Sequence, residues 1–222
     1  FLFGDLQSYY RSGGMRGAAG VYIPKHDAIL IPLHSLGVTW NGKQWRYKPK
    51  KNNKVLVHEM AHQLTAGVDF AAWYIEGSAE YVAATRYTDG AYHGVFHMGD
   101  HRKSVFDYAT KSAGMNVGDG RGLGNTIQMP GLQRFMTQSY ASFSGRDANR
   151  NYGVAMLLAD FFYHKEGRGD GAAIKKYIKA KQTGVSEREA HKLLLGRKSY
   201  QQLEKEFQSH CAKQGVKIVF SK

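Results

Sequence analysis

The sequence predicts an α+β fold: two β-prone runs stand near the start of the chain, and a succession of capped, amphipathic segments follows them. Leu2 to Tyr10 has the spacing of a short amphipathic helix, which the glycines of Gly13-Gly14-Met15-Arg16-Gly17 end. Val21-Tyr22-Ile23 and Ala28-Ile29-Leu30-Ile31 are β-prone, and Pro24-Lys25-His26-Asp27 between them reads as a turn, so a small N-terminal sheet is expected here. From Lys43 to Lys54 six Lys or Arg accompany two Asn and one Pro, a polar loop that delivers Asn52 or Asn53 as a helix N-cap.

The remainder reads as a mainly helical body. Helices are expected over 54–66, 72–87, 103–112, 130–139, 149–165 and 172–181, and two later ones begin at capping boxes, Ser186 with Glu189 and Ser199 with Gln202. Glycine-rich loops fall at 114–124 and 167–171. No repeat or low-complexity linker divides the 222 residues, so one domain is expected, its sheet and first two long helices within 1–90 and its helical part within 91–222.

Composition removes several classes. Apolar residues make up 42% of the chain, enough for a globular core, and no apolar run approaches the roughly 18 residues of a membrane-spanning helix. Cys211 is the single cysteine, which excludes disulfide and multi-cysteine zinc frameworks; a metal site must use His, Asp and Glu. The formal charge of +13 favours anionic surroundings. Because the chain opens at Phe1 rather than Met, there is room for a removed export signal, and an exported location is the expectation.

The chemistry concentrates in His58-Glu59-Met60-Ala61-His62. Residues four apart share a helix face, so the two imidazoles can converge on one ion, while Glu59 lies beside it, suited to act on water rather than on the metal. In the following segment, Trp73 to Tyr81, Glu76 and Glu80 stand one turn apart, and Gly77, Ala79, Ala83 and Ala84 permit close helix approach. Glu76 supplies a third ligand after a turn through Gly67, and Glu80 is placed to orient a liganding imidazole. Asp69 is a rival ligand. A shorter-spaced pattern would need Gly and a ligand where Thr65 and Val68 stand.

These two segments resemble the gluzincin metallopeptidases, in which H-E-x-x-H precedes a W-x-x-E-G-x-x-E helix bearing the third ligand. The order of parts is also similar to the aminopeptidase and leukotriene-hydrolase family, with Gly13 to Arg16 and the strands at 21–31 ahead of the zinc helix. Tyr152 to Leu158 resembles the helix start that carries that family's transition-state tyrosine. The likeness is closest to small bacterial gluzincin-like domains. It implies a zincin-like fold, one Zn2+ per chain on His58, His62 and Glu76, Glu59 as general base, Tyr152 as oxyanion donor and a peptide or protein substrate.

Arg16 marks a departure. It stands where the aminopeptidases have a glutamate that holds the substrate's amine, so a carboxylate-attracting guanidinium and internal cleavage are expected instead. Ile29 and Ile31, on the strand before the zinc helix, are expected to pair with an extended substrate backbone. His93, His97 and His101 recur every four residues, but Gly94 and Gly99 argue for a solvated loop there. Trp40, Trp45 and Tyr47 flank the basic run without a recognised nucleic-acid module, so an anionic surface or polymer is the expected contact rather than nucleic acid.

Overall fold

The computed structural model describes residues 1–48, 54–84, 87–88, 91–92, 98–111, 120–164 and 169–221. Strands β1 (Leu2–Phe3), β2 (Val21–Ile23) and β3 (Ala28–Pro32) form an N-terminal sheet in the order β1-β3-β2. β1 runs parallel to β3 with Leu2 opposite Ile31, and β2 runs antiparallel to it with Tyr22 opposite Ile29. The helix expected from Leu2 therefore starts later, as α1 (Leu6–Arg11). Extended pairing claims Leu2 and Phe3, and Asp5 sets the N-cap by accepting the Ser8 amide at 2.8 Å.

β3 is the middle strand, which corrects the expectation for Ile29 and Ile31. The β3 backbone is paired on one side by β2 and on the other by β1, where the Ile31 amide donates to the Phe1 carbonyl at 2.9 Å, so no edge remains for a substrate strand. Ile31 is also buried. The outer strand facing the next helix is β2. A hairpin that the basic composition concealed follows, β4 (Val38–Trp40) with β5 (Trp45–Tyr47). Its Asn41-Gly42 turn is closed by Asn41 Oδ1 accepting from the amides of Lys43 and Gln44 at 3.0 and 2.9 Å.

The helical body contains α2 (Lys54–Thr65), α3 (Ala72–Ala83), α4 (Met98–Thr110), α5 (Leu132–Met136), α6 (Tyr140–Phe143), α7 (Ala148–His164), α8 (Ala172–Gln182), α9 (Glu187–Leu195) and α10 (Tyr200–Ala212). Two short strands, β6 (Tyr87–Thr88) and β7 (Ala91–Tyr92), form a ribbon between α3 and α4. The fold class is α+β, small N-terminal sheets followed by a mainly helical body.

Three expectations shift. The helix placed over 130–139 is instead the end of strand β8 (Thr126–Pro130), followed by α5 and α6. Ile127 and Met129 alternate inward, and β8 pairs in parallel with the C-terminal β9 (Lys217–Ser221), a partner too distant in sequence to read from local pattern. α4 begins at Met98 and so includes Gly99 and His101, where glycine in a first turn costs little; His93, His97, Asn52 and Asn53 lie outside the described residues. Ser199 and Gln202 form a complete capping box. Ser186 caps the Glu189 amide, but the Glu189 carboxylate turns to Lys192 at 2.8 Å.

The main core is built around α7, whose residues Gly153 to Phe162 are all buried, with Trp73, Phe135, Phe143, Tyr177 and Phe207 packed about it. Gly77 of α3 permits a close helix approach: a Cβ there would lie 2.4 Å from the Ala155 carbonyl oxygen of α7. That contact seats α3 between α7 and α2. Among the described residues no helix is long and apolar enough to cross a membrane.

Candidate metal centre

Helix α2 buries Val57 and Ala61, one turn apart, and this turns His58 and His62 toward α3 on the adjoining stripe. The chain reverses through Gly67, whose φ of +79° belongs to the left-handed region, and α3 then brings Glu76 and Glu80 alongside. Gly20 serves the other flank of α2. A Cβ there would stand 2.8 Å from Val55 Cγ1 and 3.3 Å from Glu59 Cγ, so its absence lets β2 lie directly on the helix. Asp27 joins the same parts, accepting from Tyr22 Oη at 3.0 Å and from Gln63 Nε2 of α2 at 3.1 Å.

The Nε2 atoms of His58 and His62 stand 3.0 Å apart. Glu76 Oε2 lies 3.3 Å from the first and 3.5 Å from the second. One ligand atom from each residue falls within a 4.8 Å cluster that could hold a metal ion. Glu76 is 1% exposed, and its Oε2 has no hydrogen-bond partner. Oε2 faces two imidazole nitrogens without hydrogen-bonding geometry to either, and a divalent metal would satisfy all three atoms at once, so the residues present fit one. Two imidazoles and one carboxylate are a donor set typical of zinc.

Around these three stands a layer of fixed polar groups. His58 Nδ1, the nitrogen remote from Glu76, lies 3.1 Å from Glu80 Oε1. Arg121 forks onto Glu80, Nη2 to Oε1 at 2.5 Å and Nε to Oε2 at 3.1 Å. Tyr140 donates its hydroxyl to Glu76 Oε1 at 2.5 Å, leaving Oε2 to face the imidazoles. The Tyr152 ring stacks on His58 at 6.4 Å and 24°, and the Arg121 guanidinium lies 4.9 Å from the centroid of the same ring.

Charge follows from burial and these contacts. Burial opposes a proton on His58, but Glu76 and Glu80 outweigh it and raise its pKa to about 10. Burial dominates at His62 and lowers its pKa, keeping that imidazole neutral. Glu80 is brought down to about 2 against its own burial by His58 and Arg121. Burial raises the pKa of Glu59, offset in part by the charge of His58 and by the neighbouring Tyr22 backbone of β2. Burial, followed by the charge of Glu76, raises the hydroxyls of Tyr140 and Tyr152, so both remain protonated donors at neutral pH.

The structure thus brings His58, Glu59, His62, Glu76, Glu80 and Tyr152 into one locality. Asp69 stays outside it, fully exposed and 3.9 Å from Lys181 Nζ. Arg16 is exposed, with its guanidinium 5.1 Å over the Tyr10 ring. Tyr140 and Arg121 were not anticipated: one is among 14 tyrosines and the other lies in the glycine-rich loop, and only tertiary packing brings them to the site. Comparison of the chain with protein-family models, curated proteins and solved structures finds no match.

Proposed function

We propose that the chain is a zinc-dependent metallopeptidase of gluzincin type with a zincin-like fold, cleaving internal peptide bonds. The observation that carries this reading is the buried Glu76 Oε2, without a hydrogen-bond donor, clustered with the two imidazole Nε2 atoms at 3.3 and 3.5 Å. His58, His62 and Glu76 would hold one zinc, which when bound supplies Lewis acidity to water and to the scissile carbonyl.

The chain's own groups do the rest. Glu59, its pKa raised by burial, accepts a proton as water adds to the carbonyl carbon. It returns that proton to the departing nitrogen as the C–N bond breaks. Tyr152, held protonated, donates a hydrogen bond to the oxygen on which negative charge develops. Tyr140 is committed to Glu76 and keeps that carboxylate from rotating. Arg16 has no contact with these groups, and the expectation of internal cleavage rests on there being no carboxylate at that position to hold a substrate's amine.

Protein purified without added metal should contain one zinc per chain by elemental analysis, and His62→Ala should lose it. Digestion of a mixed peptide library should yield internal cuts that cease with a chelator and return with zinc, at equal rates for free and acetylated amino termini. Zinc retained in His62→Ala would overturn the ligand set. A zinc-replete protein that cuts no peptide would overturn the catalytic reading and leave a metal-holding domain.

A further inference from the structure

The β4–β5 hairpin leaves three large aromatic side chains exposed. Its register sets Trp40 opposite Trp45, Thr39 opposite Arg46 and Val38 opposite Tyr47. Side chains alternate along a strand, so Val38, Trp40, Trp45 and Tyr47 share one face, and Thr39 and Arg46 the other. Trp40, Trp45 and Tyr47 remain 52, 49 and 56% exposed. A cluster of large aromatic side chains left in water on one face marks an interaction surface, unlike a single exposed apolar residue.

The surface extends beyond the hairpin. Gly4 lies against the Trp45 indole, where a Cβ would stand 3.0 Å from Cη2, and this brings the segment bearing Leu2 and Leu6 alongside. Those leucines are 61 and 41% exposed. Cations accompany the apolar groups: Lys43 in the hairpin turn, Arg46 on β5 and Lys48 just after it are all exposed. Between Asp27 and Glu59 the sequence contains no carboxylate.

We propose that this corner docks on the interface of an anionic lipid bilayer, with the indole and phenol rings at headgroup depth, Lys43 of the turn at the phosphate and carboxylate groups, and Arg46 and Lys48, on the other face of the thin hairpin, adding long-range attraction within a Debye length. Trp and Tyr, each with an apolar body and a polar edge, suit that layer. The two indoles are inclined at 55° with centroids 5.4 Å apart, which offers no parallel platform for successive nucleic-acid bases. A second copy of the chain would bring the same three cations against one another, and their repulsion opposes self-docking.

The test uses the full chain with sedimenting vesicles of phosphatidylcholine, with and without 30% phosphatidylserine. The protein should partition onto the anionic vesicles at low salt at least tenfold better than onto the neutral ones, and less as salt rises. Trp73 is buried, so a blue shift on binding, and quenching by brominated lipid, should report Trp40 and Trp45. A Trp40→Ser, Trp45→Ser variant should lose partitioning at least tenfold, and a Lys43→Ala, Arg46→Ala, Lys48→Ala variant should lose the preference for phosphatidylserine. Unchanged circular dichroism and zinc content keep these variants interpretable, and quenching of the wild-type indoles needs no variant. Absence of vesicle binding, binding without indole quenching, or tighter retention on duplex DNA or heparin than on the vesicles overturns the proposal. So does a dimer that the tryptophan variant dissociates.

Discussion

Arg121 and His58 meet on one carboxylate: Glu80 Oε1 takes Arg121 Nη2 at 2.5 Å and stands 3.1 Å from His58 Nδ1. The guanidinium therefore fixes the acceptor that fixes the imidazole, and the nitrogen left over, His58 Nε2, is the one aimed at Glu76. The Arg121 backbone is held independently, its amide on the Tyr108 carbonyl at 2.7 Å and its carbonyl under Asn149 Nδ2 at 2.8 Å. Side-chain changes at 121 should thus leave the loop in place. Arg121→Gln should weaken zinc binding by about ten- to a hundredfold, as loss of an outer partner commonly does. Arg121→Lys should fall between, because an ammonium keeps the charge but cannot fork. Competition against a chelating dye at pH 7 measures both, and an unchanged Kd in Arg121→Gln would exclude the link.

The same contacts set a pH window for the metal-free protein. His58 has a folded pKa of about 10, above its ordinary 6.5, so its contribution to stability is complete below about pH 6.5 and is lost as pH rises through 10. Glu80 is the opposite case: depressed from 4.5 to about 2, it contributes fully above pH 4.5 and loses that contribution as pH falls through 2. Between these limits the pair is intact, and the Glu80 part amounts to on the order of 3 kcal/mol. Chelator-treated protein should therefore show a plateau of urea stability near pH 5 to 6 that falls on both sides, and Glu80→Gln should flatten the acid limb. Zinc must displace the His58 proton, so affinity should rise with pH toward 10, with proton release seen by calorimetry in two buffers. A pH-independent affinity would contradict this.

Local signals explain which parts of the molecule were legible. The four-residue spacing of His58 and His62 and the small residues flanking Glu76 are properties of single helices, readable without knowing what packs on them. The capping box at Ser199 and Gln202 is likewise self-contained. β8 and β9 are not, since a parallel pair between Ile127 and Ile218 depends on a partner about ninety positions away. The β4–β5 hairpin does alternate in sequence, yet its lysines and arginine make the segment read as a loop. Tyr140 and Arg121 carry no local mark, because each owes its role to the helix that receives it, α3. The middle position of β3 was hidden for the same reason: Leu2 and Phe3 are too short a run to announce a strand.

Glu59 separates binding from chemistry. It is buried beside the ligands on α2, and it is not among the three residues whose ligand atoms cluster within 4.8 Å. Glu59→Gln keeps the shape but removes the base. Zinc content should stay at one per chain while peptide turnover falls by about two to four orders of magnitude. Loss of zinc in this variant would show that Glu59 coordinates or supports the fold instead.

Gly77 tests whether the close approach of α3 and α7 holds the site together, and two effects of opposite sign compete there. Replacing a mid-helix glycine with alanine ordinarily stabilises a helix by about 1 kcal/mol. Here the new Cβ would fall 2.4 Å from the Ala155 carbonyl oxygen and 2.7 Å from its carbon, which are backbone atoms that cannot rotate aside. Nor can α7 retreat, because Val154 to Leu158 are fully buried in the core. Overpacking of this kind costs about 1 to 3 kcal/mol, and contact with backbone puts the cost at the upper end, so the clash outweighs the propensity gain. Gly77→Ala should lower urea stability by about 1 to 2 kcal/mol net, whereas Val82→Ala, on the exposed side of α3, should change it by less than about 0.5 kcal/mol. Since α3 carries both Glu76 and Glu80, its displacement should also weaken zinc binding in Gly77→Ala and leave it unaltered in Val82→Ala. A Gly77→Ala protein as stable as the parent, with unchanged zinc affinity, would show that the interface yields without disturbing the ligands.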